Sequence, residues 1–172
     1  MKRFLFYFAF LFLPLTVFAQ NRYDKLQRFL CTITKKTFVL DFEKLLNKEE
    51  TEKITQLITN YEKETSIEIA VITLDAVFET NEDFSDYTLF LANYIGIGKK
   101  DLDNGILIGF SNASKKIRIE NGNGIEKMLS DEETWAILNN EIIPSFKTND
   151  FFQGIYNGIT AIIEKLNSKL KQ

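Results

Sequence analysis

The chain has 172 residues with 21 basic and 24 acidic side chains, one cysteine and no histidine. Without histidine, the sequence excludes Ser-His-Asp and Cys-His nucleophiles, His-ligated zinc and histidine phosphotransfer. Its acidic balance also argues against a nucleic-acid partner, because domains that bind nucleic acid carry a basic surface. Any catalysis would therefore depend on carboxylates, hydroxyls, amines or a metal ion held by oxygen atoms.

Residues 1–19 have the pattern of a secretory signal peptide. Two basic residues precede an apolar run over residues 4–18, and the small residue Ala19 follows it. The run is shorter than the roughly 20 residues that span a bilayer and contains Pro14, which disfavours a retained membrane anchor. We predict an exported protein, periplasmic or extracellular, that is cleaved after Ala19 and has no transmembrane helix in its mature chain.

Residues 20–36 are interpreted as a leader segment and residues 37–172 as a single domain. Removing the signal peptide leaves 153 residues, which is the usual size of one domain, and a formal charge of -5 because Lys2 and Arg3 are lost. The single cysteine, Cys31, cannot form an internal disulfide, and no small residues precede it as a lipoprotein site requires. We interpret Cys31 as a half-buried residue without a chemical role.

The first half of the domain predicts two strands and two helices in alternation. Residues 37–40 form a short β-prone segment, and Asn47 with Glu50 has the spacing of a helix N-cap. Residues 66–74 are largely apolar and β-branched, as expected of a buried strand. Residues 82–95 carry apolar side chains at helical spacing, which predicts the second helix.

The second half predicts a β-hairpin followed by two helices. Residues 106–110 are fully apolar, and residues 116–120 alternate strictly between polar and apolar side chains. Ser130 with Glu133 forms a capping box that opens a helix ending at Pro144. The last helix is expected to begin near residues 149–150.

This order of elements predicts an α/β fold. We expect a three-layer α/β/α sandwich with a mixed, mostly parallel sheet of about four strands that ends in a β-hairpin. The strands that contain Ile67 and Ile106 should be parallel and joined by a right-handed crossover.

Several motifs of the domain resemble the TPM domain family in their order and spacing. They are Gly96-Ile97-Gly98-Lys99, Asp103-Asn104-Gly105-Ile106-Leu107, the stretch over residues 117–126, and Ile143-Pro144-Ser145-Phe146. The resemblance covers about residues 37–166. It implies an exported or lumenal α/β/α sandwich that is often associated with membranes. Plant members of that family resemble thylakoid-lumen phosphatases, animal members resemble auxiliary subunits of receptors, and many bacterial members have no settled activity.

Four oxygen-bearing side chains are expected to meet at one edge of the sheet. If the hairpin turns near Asn112, antiparallel pairing brings together Asp101, Asp103, Asn123 and Glu126. Carboxylate and amide oxygens are the ligands that Ca²⁺ and Mg²⁺ prefer, so we predict that these residues bind one of the two ions. The alternative is turn chemistry, because Asn, Asp and Gly also supply the positive φ that turns require.

Other polar residues have simpler explanations. Asp41 and Asp75 follow strands at the opposite edge, where open α/β sheets often bind ligands, but we favour a role in capping and loop contacts. Lys115, Lys116 and Arg118 offer positive charge for a phosphate, although charges on the wet face of an alternating strand are ordinary.

Two functional hypotheses follow from this pattern. The first is a divalent-cation-binding envelope module that supports the assembly or maintenance of a membrane protein. The alternative is a metal-dependent acid phosphatase, in which Asp103 and Glu126 hold a metal ion that polarises phosphate and activates water.

Overall fold

The computed structural model describes residues 38–75, 78 and 80–171. The predicted signal peptide, the leader segment and Cys31 lie outside the described residues. The strands are β1 (Val39–Asp41), β2 (Glu68–Thr73), β3 (Gly105–Ser111) and β4 (Lys116–Asn121). The helices are α1 (Lys48–Thr65), α2 (Asn81–Ile95), α3 (Asn123–Glu126), α4 (Asp131–Ile137), α5 (Ile143–Lys147) and α6 (Phe151–Leu170), with a π-helical turn (Leu138–Ile142) between α4 and α5.

The four described strands form one mixed sheet in the order β1-β2-β3-β4. The first three strands are parallel, with Ile69 paired with Ile106, and β4 returns antiparallel to β3, with Ile108 paired with Ile119. The predicted sheet and its terminal hairpin are therefore confirmed. The apolar, β-branched composition of β2 and β3 explains why these two central strands are buried on both faces.

Helices cover both faces of the sheet. On one face, α1 and α6 pack on a continuous core that includes Ile58, Val71, Ile108 and Ile159. On the other face, α2 lies over β3 and β4. A Cβ atom at Gly109 would come within 2.8 Å of the Thr88 methyl group, so the glycine lets α2 approach the sheet closely. The three-layer sandwich is thus confirmed.

Capping explains where the main helices begin. Asn47 with Glu50 opens α1, and Ser130 with Glu133 opens α4, each through the reciprocal capping box that the sequence predicts. Thr80 opens α2 in the same way. A cap of this kind stabilises a helix by about 1 kcal/mol. No helix within the described residues is long and apolar enough to cross a membrane.

The prediction that a helix ends at Pro144 is not what the structure shows. The helix passes from α4 into the π-helical turn and continues through Pro144 in the first turn of α5, where a missing N–H is tolerated. The turn presses Ile142 against α6, since a Cβ atom at Gly158 would lie 2.5 Å from the Ile142 side chain. The irregular turn therefore depends on a glycine distant in sequence, which a local pattern does not reveal.

Two loops pack backbone to backbone at the amino end of β3. The amide of Gly124 donates to the Asp103 carbonyl oxygen at 3.0 Å, and the amide of Gly122 donates to the Gly105 carbonyl oxygen at 2.8 Å. A Cβ atom at Gly124 would overlap the carbonyl oxygen of Leu102. This contact leaves no space for a side chain between the loops.

We expect Gly124→Ala to lower the free energy of unfolding by about 1–3 kcal/mol, because the added methyl group would force the loops apart. Urea denaturation followed by circular dichroism measures the change. Asn123→Ala, at the exposed neighbouring position, is the matched control and should stay within about 0.5 kcal/mol of the unsubstituted chain. Equal losses in both variants would contradict the close packing of the loops.

Tyr61 is buried in the core, and its hydroxyl makes no hydrogen bond of normal geometry within the described part of the chain. The Thr65 side chain lies near enough to oppose, in part, the effect of burial on the pKa of the hydroxyl. Burial raises the pKa of the Tyr61 hydroxyl above its ordinary value of 10.0. The folded state therefore favours the neutral hydroxyl. The resulting stability is present below pH 10 and is lost as the pH rises further, because the unfolded chain ionises first.

We expect Tyr61→Phe to raise the free energy of unfolding at pH 8 by about 1 kcal/mol, because it removes an unpaired buried hydroxyl. The variant should also lose less stability than the unsubstituted chain between pH 8 and pH values above 10. Urea denaturation at both pH values measures the two effects. A variant that is less stable at pH 8 would mean that the hydroxyl is hydrogen-bonded in solution.

Candidate functional site

A cleft of about 180 Å³ opens beside α2 at the end of the β3–β4 hairpin. Helix α2 supplies one wall, the loop between α2 and β3 supplies another, and the hairpin supplies the floor and the third wall. The cleft combines apolar side chains with carboxylates and amides. Its lining residues are Leu89, Ala92, Asn93, Ile97, Asp103, Gly105, Leu107, Glu120, Asn121, Gly122 and Asn123.

Glu120 is the most enclosed carboxylate of the cleft. The alternation of β4 directs Ile119 into the core and leaves Glu120 on the face covered by α2, where only 10% of its side chain is exposed. Its Oε1 atom accepts hydrogen bonds from the Thr88 hydroxyl and the Arg118 Nε, each at 2.6 Å. Its Oε2 atom accepts no hydrogen bond within the described residues. Glu120 thus has one oxygen available to a ligand.

Asp103 and Asn123 are brought to the same cleft by the contact between the two loops. Asp103 has a left-handed backbone, with φ of 45°, a conformation that Asp tolerates better than most residues. Its carbonyl oxygen accepts from the Gly124 amide, which places Asn123 beside it. Both side chains are exposed to solvent. Two of the four predicted metal ligands therefore lie together.

The other two predicted ligands lie elsewhere. Asp101 is in the exposed turn before β3, and Glu126 is exposed at the end of α3, and neither lines the cleft. Among the described residues, no three Asp, Glu, Cys or His side chains are grouped to hold a metal ion. A cation in the cleft would take oxygen atoms from Asp103, Glu120 and Asn123 and complete its coordination with water.

Sequence reasoning missed Glu120 as a site residue. The strict alternation of residues 116–120 was recognisable, and it already separates Glu120 from Ile117 and Ile119. The pattern did not reveal the position of α2. This helix covers one face of β4, so Glu120 lines a cleft and is not simply an exposed strand residue.

Lys99, the lysine nearest the cleft in sequence, is hydrogen-bonded to two glutamates. Lys99 Nζ donates to Glu62 Oε1 at 3.1 Å and to Glu68 Oε1, and these hydrogen bonds, that of Glu68 first, raise the pKa of Lys99. The amide of Gly98 also donates to Glu68 at 2.7 Å. Lys99 therefore does not neutralise Asp103.

At the opposite edge of the sheet, the carboxylates bind the chain itself. Asp41 accepts from the Leu46 amide and the Thr73 hydroxyl, each at 2.7 Å, which agrees with the loop contacts expected of Asp41. Glu43 accepts from the amides of Asn112 and Ala113 at 2.8 and 3.0 Å. Open α/β sheets often bind ligands at this edge, but here Asp41 and Glu43 already accept hydrogen bonds from the chain.

The basic side chains of the hairpin are also engaged. Lys115 donates to Asn112 at 2.6 Å, Lys116 donates to Asn81 at 3.0 Å, and Arg118 pairs with Glu120. They are distributed over separate contacts and do not converge on one point. This arrangement gives little support to a phosphate site on β4.

Known structures share this architecture. The N-terminal domain of a protein from P. gingivalis matches with a TM-score of 0.71 and 26% identity, over 80% of this chain and 87% of that one. The BA42 protein from the psychrophilic bacterium Bizionia argentinensis matches with a TM-score of 0.63 and 30% identity, over 74% and 85%. The N-terminal domain of the cg2496 protein from Corynebacterium glutamicum has a TM-score of 0.55 at 16% identity, over 78% and 80%, and shows the fold alone.

A comparison with curated protein sequences finds no match. Residues 39–165, however, match the sequence profile of the TPM domain. The match begins at β1 and ends within α6, so it includes the whole sheet, both helical layers and the cleft. The chain therefore belongs to the TPM domain family.

Proposed function

We propose that the chain is a divalent-cation-binding module of the cell envelope that supports the assembly or maintenance of a membrane protein. The observation that carries the proposal is the cleft whose lining includes the oxygen-bearing side chains of Asp103, Glu120 and Asn123. Its envelope location rests on the predicted signal peptide at residues 1–19. The family alone does not specify a ligand.

The chemistry of the cleft favours Ca²⁺ over Mg²⁺. Ca²⁺ accepts six to eight oxygen ligands in irregular geometry, whereas Mg²⁺ requires a near-octahedral shell. Two carboxylates, Asp103 and Glu120, line the cleft together with three asparagine amides, and the loop contact places Asn123 next to Asp103. With so few charged ligands and ready access of water, we expect weak binding, with a Kd of about 10⁻⁴ to 10⁻³ M, as in extracellular Ca²⁺ modules.

Calorimetric titration of the full chain with Ca²⁺ and Mg²⁺ tests this function. We expect saturable Ca²⁺ binding that Asp103→Asn and Glu120→Gln each weaken by about tenfold, or roughly 1.4 kcal/mol. Glu126→Gln is the matched control, because it removes an exposed carboxylate outside the cleft, and it should leave the affinity unchanged. Flat titrations with all variants folded, or equal losses in Glu126→Gln, would refute a cation site in the cleft.

The same samples decide the alternative of a metal-dependent acid phosphatase. Sustained hydrolysis of a generic aryl phosphate that requires the added metal and is lost in Asp103→Asn would establish the enzyme. Intact Ca²⁺ binding without turnover would favour the binding module.

A further inference from the structure

Helix α2 exposes a strip of large apolar side chains next to the cleft. Leu89, Phe90 and Tyr94 are 51%, 44% and 53% exposed, and the Phe90 and Tyr94 rings stack with centroids 5.8 Å apart. These three residues, the α2 strip, are half of the six exposed large apolar side chains in the described part of the chain. Concentration of exposed apolar side chains on one helix is typical of an interaction surface.

The α2 strip continues directly into the cleft, because Leu89 belongs to both. Ala92, Ile97 and Leu107 give the cleft lining an apolar part, while Asp103 and Glu120 supply carboxylates. Lysine and arginine complement such a lining, because their aliphatic stems can contact the apolar residues and their cationic heads can contact the carboxylates. The cleft therefore has the chemistry of a site for one basic side chain.

The charges around the α2 strip also favour a basic partner. The exposed N-terminal half of α2 carries Glu82, Asp83 and Asp86, and the helix contains no basic residue. Two nearby cations are paired with acids, since Arg118 contacts Glu120 and Lys99 contacts two glutamates. Lys116, which contacts the uncharged Asn81, and the exposed Lys100 keep their charges but are outnumbered by the three acids of α2. The surface around the α2 strip is therefore negatively charged, and it attracts a positively charged segment.

We propose that the α2 strip and the cleft together bind a basic amphipathic segment of a partner protein. Apolar side chains of that segment pack on Leu89, Phe90 and Tyr94, and one lysine or arginine enters the cleft and binds Asp103 and the free oxygen of Glu120. The proposal rests on one part of the proposed function, namely that the chain binds a partner protein, and it specifies the chemistry of that partner. It does not require that the chain binds a cation. A divalent cation and the basic side chain would compete for the same carboxylates.

The test uses a fluorescently labelled amphipathic peptide of about 18 leucine and lysine residues, long enough to form a helix. Fluorescence anisotropy with the full chain in EDTA measures its affinity. We expect binding that Phe90→Ala, Tyr94→Ala and Glu120→Gln each weaken about tenfold. A peptide with glutamate in place of lysine, and one of the same composition with a non-amphipathic order, should bind at least tenfold more weakly.

Trp135→Ala is the matched control, since Trp135 is an aromatic residue, 68% exposed, that belongs to α4 and does not line the cleft. It should leave the affinity unchanged, and thermal melting followed by circular dichroism checks that each variant is folded. The proposal is overturned if the lysine peptide does not bind, if the glutamate peptide binds equally well, or if Trp135→Ala weakens binding as much as Phe90→Ala.

Addition of Ca²⁺ separates this inference from the proposed function. Peptide binding that saturating Ca²⁺ weakens supports both. If the chain binds the peptide but not Ca²⁺, the partner surface is supported and the cation site is refuted. If the chain binds Ca²⁺ but not the peptide, the cation site is supported and the partner surface is refuted. If Ca²⁺ and the peptide bind together without competition, the basic side chain does not use the cleft and the proposal fails.

Discussion

The contact between residues 102–103 and residues 122–124 determines the shape of the cleft. The Gly124 amide donates to the Asp103 carbonyl oxygen, and a Cβ atom at Gly122 or Gly124 would overlap the opposing backbone. Because two backbones touch with no side chain between them, the backbone positions of Asp103 and Asn123 do not depend on the packing of an intervening side chain. The same contact lies at the open end of the β3–β4 hairpin, where α3 begins, so it contributes to both the fold and the cleft.

Asn104 connects this contact to the parallel part of the sheet. Its buried side chain accepts from the Lys99 amide and donates to the Ser66 carbonyl oxygen, each at 2.8 Å, while its own carbonyl oxygen accepts from the Glu68 amide at 3.2 Å. One residue thereby joins the end of α1, the loop after α2 and the start of β2. Leaving such a buried group unpaired would cost about 1–3 kcal/mol, so the loop that carries Asp103 has a defined form without a ligand.

The fold was predictable from local patterns, whereas the site depended on distant contacts. Capping residues such as Ser130 and the apolar runs of β2 and β3 act over a few residues, and they led to the correct order of the strands and long helices, although the short helix α3 was not predicted. Asp101 and Asp103 are separated by one residue, yet only Asp103 lines the cleft, because side-chain directions in a turn with a left-handed residue do not follow from spacing. The role of Glu120 depends on α2, and the π-helical turn depends on Gly158, and neither partner is close in sequence.

Glu120 links the attachment of α2 to the chemistry of the cleft. A carboxylate that is nine-tenths buried is costly unless donors compensate it, and Thr88 and Arg118 both donate to Oε1. Because both donors use one oxygen, Glu120 is held firmly while Oε2 can accept from a ligand. Arg118 also offsets the charge of Glu120. The orientation of Glu120 in the cleft therefore depends on the same hydrogen bond, from Thr88, that connects α2 to β4.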